Sequence, residues 1–138
     1  WGTIQYKGPG TFIAGGAGIT PFLAIFRDLE KKGKLAGNQL IFANKTSRDI
    51  IYKSQLESMH GLKVNHVLSD EDLAGTHHGL IDADLLKDLV PDLDKRFYLC
   101  GPPPMVDAVR AHFAKLGVEP ANFHFEKFNP TEEKAAAA

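Results

Sequence analysis

Gly15, Gly16 and Gly18 fall within four positions, directly after the apolar run Phe12-Ile13-Ala14, and Thr20-Pro21 close the stretch before a second apolar run begins. Glycines in such a place let the backbone turn tightly and bring its amides close to a ligand with no Cβ in the way. A helix that starts there points unpaired N–H groups and the positive end of its dipole into the loop, which suits a phosphate or pyrophosphate. Pro21 fits the first helical position, where its missing N–H costs nothing. Thr20 then falls at the N-cap, with a hydroxyl for the helix end or for a ligand. A plain tight turn uses the same residues, so the stretch alone is not specific. It does exclude some relatives in appearance: no Gly-Lys-Ser/Thr follows, as a P-loop needs, and the pattern is Gly-x-Gly-x-x-Pro, not the spaced glycines of the common dinucleotide fingerprint. No phospho-acceptor aspartate stands at the strand end, where Gly15 sits instead.

The second stretch is Cys100-Gly101-Pro102-Pro103-Pro104-Met105. Gly101 frees the backbone, and the prolines after it stiffen it. Cys100, the one cysteine of the chain, reads either as a small buried hydrophobe or as a group facing a ligand. A nucleophile needs a base beside it, and the sequence places no histidine there. His66, His77 and His78 lack metal-ligand spacing, and none of the six histidines is expected to bind a metal.

These stretches do chemistry only if regular elements bring them together. Short β-type runs are TFIA (11–14), QLIFA (39–43), LKVNHVLS (62–69), RFYLC (96–100) and FHFEKF (123–128). Helical periodicity lies between them. It runs from Thr20 to about Lys32, with Phe22, Phe26 and Leu29 on one face, and then over about 50–60 to Gly61. A third helix reads from Asp82 as N-cap through Leu85, Leu86 and Leu89 to Pro91, and a fourth through Val106, Val109, Phe113 and Leu116 to Gly117. Strands and helices alternate, and the strands are apolar on both faces, as buried parallel strands are. The expectation is an α/β fold, a doubly wound five-stranded parallel sheet with helices on both faces. A reversal after the first strand gives the order 3-2-1-4-5. Both loops then flank one crevice at the carboxyl ends of the strands, where open α/β sheets bind ligands. "TIQY" (3–6) reads as a strand without a partner.

At 138 residues the chain is one domain by length, able to bury roughly 68% of its unfolded surface. It has 16 basic and 17 acidic residues and no basic stripe, so no nucleic-acid partner is expected. The longest apolar stretch, Ile19 to Phe26, is interrupted by Thr20-Pro21 and too short to span a bilayer. A lone cysteine forms no internal disulfide, which fits a reducing, cytoplasmic setting. The opening Trp1-Gly2-Thr3, without an initiator methionine, reads as the start of a fragment of a longer chain, and the closing EEKAAAA as a frayed tail.

FIAGGAGITPF (12–22) together with YLCGPPPMVDAV (98–109) closely resembles the pyridine-nucleotide domain of the ferredoxin–NADP reductase family of flavoenzymes. The resemblance covers residues 11 to about 128. It implies an NAD(P)-binding domain at 11–130. Residues 1–10 then look like the remnant of an upstream FAD-binding β-barrel, and 131–138 like a disordered tail. It implies that Gly15, Gly16, Ala17 and Gly18 cradle the pyrophosphate, with Thr20 and Pro21 following, and that Thr20 faces nicotinamide and flavin. Cys100 and Gly101 match the family's Cys-Gly pair, with the thiol beside the nicotinamide, and Pro102, Pro103 and Met105 line the nucleotide. FEKFN resembles the family's C-terminal Glu-x-Phe-Gly: Glu126 matches the acidic residue behind the cysteine and Phe128 an aromatic near the flavin edge, with Asn129 in place of glycine. Asn44, Lys45 and Thr46, and Ser69 with Asp70, match the adenosine side. Cys100, Glu126 and Thr20 are the residues implied to serve the reaction.

The resemblance further implies that reduced nicotinamide passes hydride to FAD held mainly by the barrel domain in cis. Electrons then go to an acceptor such as flavodoxin, ferredoxin or haem. This domain supplies binding and orientation and alone catalyses nothing. Members that read a 2′-phosphate use a Ser-Arg pair after the third strand; here Asp70 replaces the arginine, and Glu71 and Asp72 follow. Those carboxylates repel a phosphate dianion, so NAD(H) is expected over NADP(H), with Arg48 as the counterweight. The alternative from another class is a non-catalytic nucleotide-sensing module. An upstream Arg-x-Tyr-Ser/Thr flavin motif, or its absence, separates the two.

Overall fold

The computed structural model describes residues 4–90, 92–93 and 95–127. β1 (Gly10–Gly15) runs through a 3₁₀ turn (Gly16–Gly18) into α1 (Ile19–Lys31). β2 (Gln39–Asn44) leads through a second turn (Ser47–Asp49) to α2 (Lys53–Glu57). β3 (Lys63–Leu68), β4 (His77–His78), α3 (Ala83–Leu89), β5 (Arg96–Gly101), α4 (Pro103–Leu116) and β6 (Phe123–Lys127) follow. All strand pairs are parallel, in the order β4-β3-β2-β1-β5-β6. The strands read from the sequence therefore appear as β1, β2, β3, β5 and β6, in the order expected.

The sheet has six strands, however, not five. β4 adds outside β3, with Val67 opposite His77 and Leu68 opposite His78. A strand of two polar residues has no alternation to detect. It is held by its neighbour's ladder and by the Gly79 N–H, which donates to the Leu68 carbonyl at 2.8 Å. The second helix is shorter than its apolar pattern suggests. Tyr52 takes φ +58, a left-handed position that cannot continue a helix, so α2 begins only at Lys53. Ile4 to Lys7 form no strand.

Period-two alternation sends successive strand residues into two cores. Phe12, Ala14, Leu40, Phe42, Tyr98 and Cys100 face α1 and α2, where Phe22, Phe26, Leu29 and Leu56 cover them. Ile13, Ile41, Val67, Phe97 and Leu99 face α3 and α4, against Leu86, Val106, Val109 and Phe113. In the first core Phe12 stacks on Tyr98 at 4.4 Å and meets Phe22 and Phe26 edge-on at 5.0 and 4.8 Å. The Tyr98 hydroxyl accepts from the Lys7 N–H and donates to the Gly8 carbonyl, both at 2.8 Å, pinning the segment ahead of β1. No helix among the described residues is long and apolar enough to cross a membrane.

Candidate functional site

β1 and β5 are neighbours with Ala14 opposite Cys100, so the loops that follow them leave the sheet side by side at the point where strand order reverses. Gly18 makes their contact possible: a Cβ there would collide with the Cys100 carbonyl oxygen and stand 2.7 Å from its carbon. At Gly15 a Cβ would collide with the Met105 sulfur and stand 3.2 Å from the Pro102 ring. Gly16 is different. It has φ +53, and nothing lies within 4 Å of where its Cβ would be. A glycine held left-handed and open on its free side leaves backbone amides accessible to a ligand.

The helix start differs from the sequence expectation. Gly18 already has helical angles (φ −62, ψ −11) and is the N-cap of α1. Thr20 and Pro21 are thus the second and third helical residues, not the N-cap and the first. The proline loses no hydrogen bond there, because the first four N–H groups of a helix have no intrahelical partner. In α4, Pro102 is the N-cap and Pro103 and Pro104 open the helix, so the first turn lacks most of its donors. The Val106 N–H is spent on the Pro102 carbonyl at 3.0 Å. An anion at this crossing finds its amides in the 15–18 loop, not at the end of α4.

A cleft of about 890 Å³ opens over the carboxyl ends of the strands. Gly15, Gly16 and Ala17 form its floor, and Pro102, Pro104, Met105, Ala108 and His112 one wall. The other wall is Asn44, Lys45, Asp49 and Ile51 from the end of β2, with Ser69 and the 79–82 segment. Of the residues singled out in the sequence, the cleft collects Gly15, Gly16, Ala17, Asn44, Lys45, Ser69, Pro102 and Met105. Gly18, Thr20, Pro21, Thr46, Asp70, Cys100, Gly101, Pro103 and Glu126 do not line it. Phe128, Asn129 and the tail lie outside the described residues. Sequence reasoning missed Ile51 and Leu80, which are 40% and 77% exposed at the rim. Their signal is weak: Ile51 lies in the apolar run Ile50-Ile51-Tyr52 and Leu80 precedes Ile81, so each reads as a residue of the core. Such walls suit a flat apolar group, and Asn44 Nδ2, buried without a partner, is a spare donor at the end of β2.

Beyond the strand ends the β2 and β3 loops stay joined. The Ser69 and Asp70 N–H groups donate to the Asn44 and Lys45 carbonyls at 3.0 and 2.8 Å, and Ser69 Oγ meets Asp70 Oδ1 at 3.1 Å. Thr46 and Asp49 close a capping box on the next turn, with the Thr46 N–H donating to Asp49 Oδ2 at 3.0 Å. Glu71 accepts the Ser47 N–H at 2.8 Å, and that bond chiefly holds its carboxyl below the usual range. Of the three carboxylates at 70–72, Glu71 is therefore committed, while Asp70 and Asp72 are exposed.

Cys100 is fully buried in the core under α1, whereas the cleft lies toward α3 and α4. Burial, and after it the Glu126 charge, push its thiol up to about 12. It is neutral at physiological pH, which removes the nucleophile reading. Glu126 is its parallel partner on β6, half-buried, with Oε2 unpartnered. His124, two residues earlier, stacks on Tyr98 at 5.3 Å, and burial lowers its pKa.

Residues 12–111 match the family model described as the oxidoreductase NAD-binding domain. Among curated proteins, the chain is 31% identical over 129 residues to the 2-halobenzoate 1,2-dioxygenase electron transfer component of Burkholderia cepacia, covering 89% of this chain and 38% of that protein. It is 39% identical over 119 residues to NADH-cytochrome b5 reductase 1 of Mortierella alpina, covering 80% and 40%. Among solved structures it is similar to the flavohem-like FAD/NAD binding domain of nitric oxide dioxygenase from Vibrio cholerae, with a TM-score of 0.79 and 27% identity over 92% of this chain and 54% of that one. The chain spans about two fifths of the length of these curated relatives.

Proposed function

From the premise that this chain belongs to the oxidoreductase NAD-binding domain family, we propose that it is the nicotinamide-dinucleotide module of an FAD-dependent NAD(P)H oxidoreductase. In this reading, residues 11–130 bind the dinucleotide, 1–10 are the end of an FAD-binding barrel in cis, and electrons pass on to an acceptor protein or domain in a cytoplasmic setting. The observation that carries it is the open, left-handed Gly16 at the floor of a cleft at the switch point of a parallel sheet.

Gly15, Gly16 and Ala17 offer backbone amides to the pyrophosphate. Asn44, Lys45 and Ser69, with Ile51 and Leu80 at the rim, receive the adenosine end. When bound, the nicotinamide supplies the hydride. Thr20, Cys100 and Glu126 are assigned to orienting its ring from outside the cleft, Thr20 and Glu126 from partly exposed positions and Cys100, fully buried, by packing behind them. The neutral, compact thiol adds no charge behind the ring's site. Asp70, exposed beside Ser69, turns the site toward NADH and against a 2′-phosphate.

Calorimetric titration of the chain with NADH and NADPH tests this. NADH binding, weaker NADPH binding and no flavin absorbance in the purified chain are expected, and an Asp70→Arg variant should narrow the gap between the two nucleotides. A yellow preparation, or chemical-shift changes on nucleotide addition that fall away from both the 15–18 and 100–105 loops, overturns the proposal. Equal binding of both nucleotides overturns the NADH preference.

A further inference from the structure

The loops after β2 and β3 are joined by three consecutive rungs. Two are backbone bonds, from the Ser69 and Asp70 N–H groups to the Asn44 and Lys45 carbonyls. The third is made by a side chain: Glu71 Oε1 takes the N–H of Ser47 at 2.8 Å. Glu71 is itself fixed from behind, since His78 Nδ1 lies 2.9 Å from its carbonyl oxygen and His78 is paired in β4. Ser47 opens the 47–49 turn, which carries Asp49 and Ile51 to the cleft wall just after Lys45. The chain thus has a strut, β4–His78–Glu71–Ser47, that ends on the backbone of the segment lining one side of the cleft.

We infer that Glu71 is a positioning residue. Through the Ser47 N–H it holds the 44–51 segment against the β3 loop and thereby sets the affinity of the cleft for the adenosine half of the nucleotide. Glu71 does not line the cleft, so its effect travels through the loop it holds. The strut also gives the sheet's extra edge strand a task, because β4 anchors the histidine behind Glu71. This inference rests on the proposed dinucleotide reading.

Calorimetric titration of the wild-type chain, Glu71→Gln and Glu71→Ala with NADH and with 5′-AMP tests it, alongside amide exchange at Ser47. Losing a hydrogen bond to a charged acceptor should cost Glu71→Ala about tenfold in affinity for both ligands. Glu71→Gln, whose amide oxygen still accepts, should stay within about twofold of wild type. Ser47 exchange should speed up in Glu71→Ala while amides of β1 and β5 keep their protection. If Glu71→Ala fails to fold, Glu71→Asp, one methylene short of Ser47, should show the same loss. Unchanged affinity in Glu71→Ala, or equal loss in Glu71→Gln with Ser47 protection intact, overturns the inference. A wild-type chain that binds neither ligand overturns the dinucleotide reading and this inference with it, even where Ser47 exchange still responds to Glu71.

Discussion

Cys100 stands near the end of β5, just ahead of the proline-rich turn, and its side chain belongs to the core. It has no exposed surface, and its thiol is pushed up to about 12 by burial and by Glu126. A thiolate is the reactive form, so the folded chain should resist iodoacetamide at neutral pH and be alkylated at once when unfolded in urea. Mass spectrometry of the two reactions checks this; rapid alkylation under native conditions would show that the thiol is reached from outside. The glycines divide their work in the same way. Gly15 and Gly18 are there because a Cβ has no room against Met105 and the Cys100 carbonyl, and Gly16 because its φ is positive. Two therefore serve packing, and one leaves space for a ligand.

The elements that frame the cleft are short and depend on their ends. α3 has seven residues and buries Leu86 completely. Isolated helices of that length are unstable, so its cap matters: Asp82 Oδ1 accepts the Leu85 N–H at 2.8 Å. Asp82→Ala should lower the unfolding free energy by about 1 kcal/mol, and Asp82→Asn by much less, since asparagine caps as well. Urea titration followed by circular dichroism measures both, and equal stability of all three proteins would show that tertiary packing alone holds α3. α4 closes as its sequence suggests, with Gly117 at φ +82, but its proline-filled start leaves the binding of an anion to the loop across the cleft.

Among the described residues, a few buried polar side chains on the sheet lack a bonded partner, and two of them are histidines. Both ring nitrogens of His66, and Nε2 of His124, are buried without partners. Burial lowers both pKa values, for His66 with help from Lys53 and against Glu57. Protonation is therefore harder in the folded chain than in the unfolded one. The unfolded state takes up protons first as pH drops below about 6.5, so stability is full above that value and declines beneath it. Urea midpoints at pH 7.5 and 5.5 should differ in that direction, and His66→Asn should flatten the difference. A midpoint that rises on acidification would contradict the assignment. The polar groups His124 and Glu126 share with Cys100 the face of β5 and β6 that continues the α1 side of the sheet.

Much of this was legible in the chain itself. Strands β1, β2, β3, β5 and β6, the Asp82 cap and the Gly117 stop follow from local patterns, because apolar runs, cap residues and glycines act through their immediate neighbours. The meeting of the two loops was legible too, since a reversal after the first strand forces β1 and β5 together. The tertiary structure alone decided the rest. β4 exists because β3 offers an edge, not because His77-His78 prefer to be extended. Cys100 left the cleft because strand alternation, counted from Phe12 and Tyr98, turns it toward α1. Glu71 ceased to be a free charge because Ser47, distant in sequence, donates to it. Each of these outcomes depends on which face or which partner a residue meets, and that is settled only when the sheet has assembled.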